Sequence, residues 1–309
     1  MAYRLEDINF KTIADPAGFA AECDAAYQEK VVHAADMICD NRKNSPIILL
    51  SGPSGSGKTT TAHKVVEELE RRGIRTHYVG MDDYYNNYDP KTSPKTPEGD
   101  PDYESPYCLD IELLNRHFTD LSEGRAIQIP SYDFASSTRR AEPSDEICLG
   151  KDEMVVFEGI HGLNDMFTLR HPEAFKLHIA ANSDVEFHGK VVFKRTWFRL
   201  VRRLVRDYNF RGAGPDETMG MWANVRRGEK LYITPFKNKA NFQFDTSLAF
   251  ELAAMNTTAT KLLSSVPEGI ERFDELRSIL PAIQLFGHIE DKDIAADSLI
   301  REFIGPKQS

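Results

Sequence analysis

The 309-residue chain is poor in cysteine: Cys23, Cys39, Cys108 and Cys148 lie far apart and no two form a C-x-x-C pair. That spacing excludes a zinc cluster or a disulfide framework and leaves reduced, mostly buried thiols as the expectation. Long apolar runs are missing too. The longest clean one, Ile47-Ile48-Leu49-Leu50, falls far short of the roughly 20 residues that span a bilayer. The chain opens Met-Ala-Tyr-Arg-Leu-Glu-Asp, with acids where the apolar core of a secretion signal would begin, so a cytoplasmic protein without a membrane partner is expected. Basic charge is in deficit: 38 Lys and Arg against 48 Asp and Glu leave −10. Wholesale coating of nucleic acid is excluded, and any anion site must be a local basic cluster. Neither internal repeats nor low-complexity tracts occur. What remains, 41% hydrophobic and 28% charged, is ordinary globular usage for one large domain or two modest ones.

The order of elements predicts an α/β protein. Asp15-Pro16 reads as an N-cap and first helical position, and Phe19, Cys23, Tyr27, Val31 and Ile38 follow at near-helical spacing, giving an N-terminal helical extension over 1–45. A polar break at 41–46 precedes the apolar strand at 47–50. Residues 58–72 read as a helix stopped by Gly73, and Ile74, Thr76, Tyr78 and Val79 as a second strand. The stretch 82–106 is long for a structureless loop and is expected to be functional. A helix near 109–121 and strands at 126–129, 154–157 and 177–181 follow. Strands alternating with helices imply a doubly wound, mostly parallel sheet with helices on both faces, over 46–255. The chain turns helical again over 256–309.

Between the first strand and its helix stands Gly52-Pro53-Ser54-Gly55-Ser56-Gly57-Lys58-Thr59, a complete G-x-x-x-x-G-K-[ST] P-loop, followed by Thr60. Its glycines let backbone N–H groups point inward, and the helix N-terminus adds positive charge for phosphate, so ATP is the expected ligand. Lys58 would reach the β and γ phosphates, and Thr59 would hold Mg²⁺. Glu158, closing Val155-Val156-Phe157, offers the second oxygen ligand a hard cation needs. Asp82 and Asp83 end the second strand, where open α/β sheets bind ligands. One of them could take a proton from an attacking hydroxyl or bind the metal indirectly.

Lys190, Lys194, Arg195, Arg199, Arg202, Arg203, Arg206 and Arg211 crowd one segment, with Asp207 as its single acid. At about 100° per residue, Arg195, Arg199, Arg202, Arg203 and Arg206 fall on one helical face, opposite Trp197, Val201, Leu204 and Tyr208. A lid closing over transferring phosphates, at about 188–212, is the favoured reading over a nucleic-acid or membrane stripe and a solvated face.

Together these residues resemble the uridine kinase and phosphoribulokinase family of P-loop kinases, most closely bacterial uridine kinase-like proteins, over roughly 46–250. The motifs are the P-loop, Asp82-Asp-Tyr-Tyr85, Tyr103-Glu104-Ser-Pro106, Ile129-Pro-Ser-Tyr132-Asp133-Phe134 with Arg139, Phe157-Glu158-Gly-Ile160, and Arg202-Arg-Leu-Val-Arg206-Asp207 with Arg211-Gly212. The resemblance makes Asp82 the base at the nucleoside 5′-hydroxyl, and a second candidate toward the metal. It gives Glu104 the ribose hydroxyls, Tyr132 and Phe134 the base pocket, and Tyr85 and Arg139 further substrate contacts. Arg203 and Arg206 become the lid's phosphate contacts, with Arg211 a further candidate. It also implies a homo-oligomer. Two departures stand out. The family's pyrimidine-reading His is replaced by Ala135-Ser-Ser-Thr138, and an N-terminal module of larger relatives has no counterpart in the roughly 45 residues before the first strand. Trp222 through Pro235 look like the larger relatives but suggest no physical role.

The expectation is therefore an ATP- and Mg²⁺-dependent kinase of a small alcohol, with the 5′-hydroxyl of uridine or cytidine first. Pantothenate, glycerate or a sugar phosphate is the alternative acceptor, and an ATP-binding regulator without catalysis is the alternative class.

Overall fold

The computed structural model describes residues 2–269 and 273–307. Its N-terminal part holds β1 (Tyr3–Arg4), α1 (Leu5–Ala14) and α2 (Pro16–Asn41). Next come β2 (Ile47–Ser51), α3 (Lys58–Arg71), β3 (Thr76–Gly80), α4 (Ile111–Ser122), β4 (Ile127–Ile129), β5 (Tyr132–Asp133), β6 (Thr138–Arg139), β7 (Asp145–Ile147) and β8 (Met154–Glu158). The remainder is α5 (Asp165–Thr168), β9 (Phe175–Ala180), β10 (Val185–Phe187), β11 (Lys190–Phe193), α6 (Arg195–Phe210), α7 (Pro215–Gly228), β12 (Phe242–Asp245), α8 (Glu251–Ser264), α9 (Phe273–Ile283) and α10 (Arg301–Ile304). No described helix is long and apolar enough to cross a membrane.

β12, β9, β2, β8 and β3 form, in that order, a five-stranded sheet paired in parallel throughout. Period-two side-chain alternation turns this sheet into a two-sided core. Ile48, Leu50 and Val156 join one apolar cluster, with α2, α3, α6 and α8, while Ile47, Leu49, Val155 and Phe157 join the other, with α4. The first cluster draws on residues from Leu5 to Phe303. It runs across 45/46, and α8 runs through residue 255. The expected helix at 15–41 is preceded by a second one, α1. The expected strand at 126–129 pairs with β7 as a separate antiparallel ribbon, outside the main sheet. β12, a sheet edge, and the small β1-β10-β11 sheet did not stand out in the sequence, because each segment has four residues or fewer.

The arginine helix α6 departs from its sequence reading. Both of its faces are covered: Arg199, Arg202 and Arg203 are buried along with Trp197, Val201 and Leu204, whereas Tyr208, expected on the apolar side, is exposed. Arg202 turns away from the phosphate loop into the core. Its Nε donates to Glu251 Oε2 at 2.7 Å and its Nη2 to the Thr246 carbonyl at 2.8 Å. Of the five arginines expected on one face, Arg202 is thus taken into a structural pair and Arg195, exposed, pairs with Asp184 at 3.1 Å, which leaves Arg199, Arg203 and Arg206. Neither Arg202 nor Glu251 has solvent contact, so removing one partner strands a buried charge. We expect Arg202→Met to cost about 3–5 kcal/mol in urea unfolding, and Arg202→Met with Glu251→Leu to recover most of it. A single variant within about 1 kcal/mol of the parent would mean that the pair is not what anchors α6.

Candidate functional site

The parallel register brings three strand ends to one level. Glu158 on β8 stands opposite both Leu50 of β2 and Gly80 of β3, so the P-loop, the β8 carboxylate and Asp82 share the carboxyl edge of the sheet. The P-loop is seated from behind by α6 and β12. Arg199 Nε donates to the Ser54 carbonyl at 3.0 Å, Arg203 Nη1 to Ser54 Oγ at 3.0 Å, and Thr246 Oγ1 to the Ser56 carbonyl at 2.6 Å. Gly55 sits at φ +74°, where a Cβ would also meet the Arg199 carbonyl oxygen at 2.9 Å. Only glycine suits that position.

Glu158, nearly buried, accepts hydrogen bonds from Thr59 Oγ1 and from the Tyr78 hydroxyl, each at 3.0 Å, and lies 3.7 Å from Lys58 Nζ. Burial, reinforced by the Glu158 carboxylate, pushes the Tyr78 phenol well above its ordinary value, so it stays a neutral donor. Among the described residues no three His, Cys, Asp or Glu side chains form a ready metal cage. A hydroxyl and a carboxylate are nonetheless a donor set that fits Mg²⁺, which binds hard oxygens and leaves positions for substrate phosphates and water.

The two adjacent aspartates separate in role. Asp83 Oδ1 accepts the Tyr132 amide at 3.4 Å and so tethers the β5-β6 ribbon. Asp82 keeps solvent contact inside the cleft while protein surrounds it on most sides. That desolvation lifts its carboxyl to about 6; Glu158 and Asp83 push the same way, and Lys58 and Arg211 oppose them. Glu104 sits under the same influences. Crowding by protein raises it to about 7, against the pull of Arg203, Lys58 and Arg199. These couplings join Asp82, Glu104, Lys58 and the α6 arginines in one cleft.

The predicted aromatic residues also meet. The Tyr85 ring lies 5.5 Å from both Tyr132 and Phe134, and Tyr132 and Phe134 are 4.9 Å apart. Beside them a cavity of about 220 Å³ is lined by Tyr85, Tyr103, Tyr107, Tyr132 and Asp102. Phe134 is largely exposed. Arg139 does not face this cavity with a spare guanidinium. It donates to Asp110 at 3.1 Å and to the carbonyls of Tyr84 and Tyr85 at 3.0 and 3.2 Å, bracing the turn that carries Asp82.

Several residues to which motif reading gave no role organise the cleft. Asp207, buried, gathers three arginines: Arg203 Nε at 3.2 Å, Arg206 Nη2 at 2.8 Å and Arg211 Nε at 3.5 Å. Its signal in the sequence was its standing as the lone acid in a basic run. Glu229 pairs with Arg199 at 2.8 Å and with Arg226. Arg227 grips Asp102 at 2.6 Å, two residues from Glu104. His161, buried, lies edge-on 6.2 Å from the Tyr232 ring, and burial holds it neutral, with a pKa near 3. These contacts give the stretch from Trp222 to Pro235 a place: it is the wall behind Glu104.

The Phosphoribulokinase / Uridine kinase family model matches residues 47–249. A uridine kinase of Staphylococcus haemolyticus is 29% identical over 199 residues, covering 64% of this chain and 86% of the relative. A uridine kinase of Staphylococcus aureus is 29% identical over 200 residues with the same coverage. A solved structure described as a possible uridine kinase from Bacillus stearothermophilus aligns with a TM-score of 0.43 at 18% identity, over 69% of this chain and 98% of that one.

Gly228 tests the wall directly, because a Cβ there would fall 2.3 Å from Glu104 Cβ. Gly228→Ala must displace Glu104, whose atoms are the nearest to that Cβ. We expect acceptor KM to rise at least about tenfold, with ATP KM within about twofold. Equal losses for both substrates would show that the wall serves the whole cleft rather than Glu104.

Proposed function

The chain belongs to the phosphoribulokinase and uridine kinase family, phosphotransferases with an alcohol acceptor, and on that premise we propose that it transfers the γ-phosphoryl group of ATP to the 5′-hydroxyl of a ribonucleoside. Lys58 and backbone N–H groups between Ser54 and Thr60 hold the triphosphate. Thr59 and Glu158, with Asp82 near them, would hold Mg²⁺, which when bound would offset phosphate charge. Asp82 accepts the proton of the attacking hydroxyl, and Arg203, Arg206 and Arg211, fixed by Asp207, face the charge that spreads over the transferred group. Glu104 accepts hydrogen bonds from a vicinal diol, and the Tyr85, Tyr132 and Phe134 rings flank the base.

The observation that carries this reading is the common sheet edge that brings the Asp82 turn beside Glu158, itself bonded to Thr59 and 3.7 Å from Lys58; the Asp82 carboxyl there is raised to about 6. A base is most useful when its pKa lies near the working pH. A second reading, an acceptor that carries its own anion, draws on the Glu104 carboxyl at about 7 amid Arg203, Lys58 and Arg199. In its protonated form it would not repel such a substrate. The absence of a His between Phe134 and Arg139 equally loosens the case for a pyrimidine.

ADP release with Mg·ATP across nucleosides, pantothenate, glycerate and ribulose 5-phosphate separates these readings. Turnover confined to ribonucleosides supports the first, and turnover confined to anionic alcohols replaces it with the second. Both carboxyls have raised values and must be ionised to act as acceptors. On the first reading, acceptor kcat/KM should therefore fall below pH about 7 as Glu104 takes up a proton, and more steeply below about 6 as Asp82 does. Asp82→Asn should lower kcat about 10²- to 10⁴-fold, erase the steeper fall below about 6 while keeping the Glu104 fall below about 7, and leave ATP affinity little changed. A fall below pH about 6 that keeps its steepness in Asp82→Asn would remove Asp82 from the proton transfer.

A further inference from the structure

The C-terminal segment lies outside the family-matched residues 47–249, yet it is built against the start of the P-loop helix. Leu299, Ile300 and Phe303 are fully buried. Arg301 fastens the segment by donating to the Ile294 and Ala295 carbonyls at 2.8 and 3.1 Å, and it pairs with Asp291. Asn209 of α6 donates to the Phe303 carbonyl at 3.1 Å, and the Arg202 guanidinium lies 5.0 Å over the Phe303 ring. Leu299 reaches the P-loop itself: a Cβ on Gly57 would stand 3.0 Å from Leu299 Cδ1. This is an integral wall.

The two sides of the α3 N-terminus face different neighbours. Thr59 and His63, four residues apart, look toward the sheet, where Thr59 bonds Glu158 and the His63 ring lies 4.4 Å from Tyr78. Thr60 and Lys64 look the other way. Thr60 Oγ1 donates to Glu302 Oε2 at 2.6 Å, and Lys64 Nζ lies 3.9 Å from Asp297. Glu302 therefore stands at the P-loop helix start on the side away from Glu158, the side left for the nucleoside of a triphosphate whose γ end the Thr59 side takes.

We propose that Glu302 is a specificity residue of the donor site: its carboxylate accepts hydrogen bonds from the ribose hydroxyls of ATP. The proposal rests on the ATP reading above. A carboxylate is an acceptor-only group with two oxygens, suited to a diol, and acidic side chains at nucleotide sites take ribose hydroxyls in this way. Thr60 supplies the orientation by fixing one oxygen. The other stays available to the sugar.

Calorimetric binding of ADP, 2′-deoxy-ADP and 3′-deoxy-ADP to the full chain tests this without turnover or any acceptor. The parent should favour ADP over the better-bound deoxy analogue by about tenfold or more, the scale of one charge-assisted hydrogen bond. Glu302→Ala and Glu302→Gln should weaken ADP about tenfold and bring the three ligands within about threefold of one another, with melting temperatures near the parent's. An unchanged ratio in both variants overturns the proposal while leaving the ATP reading intact. Tighter binding of all three ligands by the variants also overturns it, since Glu302 would then be a competitor for the phosphate end. No adenine nucleotide binding by the parent would overturn both readings together.

Discussion

The cleft depends on one constraint, the parallel ladder that sets Leu50, Glu158 and Gly80 at the same level. Hydrogen bonding along β2, β8 and β3 fixes where the P-loop, the β8 carboxylate and the Asp82 turn emerge. A one-residue slip in β8 would send Glu158 to the opposite face of the sheet and separate it from Thr59. Two apolar cores, one on each face, specify that register through the alternation of Ile47 to Leu50 and Met154 to Phe157. Packing thereby becomes chemistry, because the residues that hold the sheet together also place its charged ends.

Above the sheet, opposite charges are arranged in buried groups rather than scattered pairs. Asp207 holds Arg203, Arg206 and Arg211; Glu229 holds Arg199 and Arg226; Glu251 holds Arg202. An unpaired arginine in such surroundings would be costly. Glu251 thereby anchors a core arginine, whereas Asp207 fixes Arg203, Arg206 and Arg211 together, the kind of preorganised charge that the proposed transfer calls for. Asp82 and Glu104 carry the opposite consequence, carboxyls raised toward neutrality by the crowding that brings them close to Lys58.

What could be read in the sequence was local. The P-loop, Glu158 and Asp82 declare themselves because each motif spans a few residues with strand and helix beside it. The α6 arginines show the limit: helical spacing put Arg202 and Arg203 together, but Thr246 and Glu251, some 50 residues on, decide that Arg202 enters the core. Tyr208 failed for the same reason, since which stretch of the helix is covered depends on neighbours that its own periodicity cannot name. β12 and β1 are too short for a pattern and exist through distant partners. Glu302 bears no motif at all and reaches Thr60 only because the chain returns to the P-loop after 242 residues.

In the proposed reaction donor and acceptor are held in one cleft, where Asp82 and Glu104 both face the field of Lys58. An adenosine and a ribonucleoside joined through their 5′ oxygens by a five-phosphate bridge would span both halves at once. Its affinity for the full chain, measured against that of ATP and of the free nucleoside, tests the arrangement directly. The account predicts binding at least about 10²-fold tighter than ATP, as expected when one linked ligand fills two adjacent sites. Affinity equal to that of ATP alone would contradict it, because the second nucleoside would then have no site within reach of the P-loop.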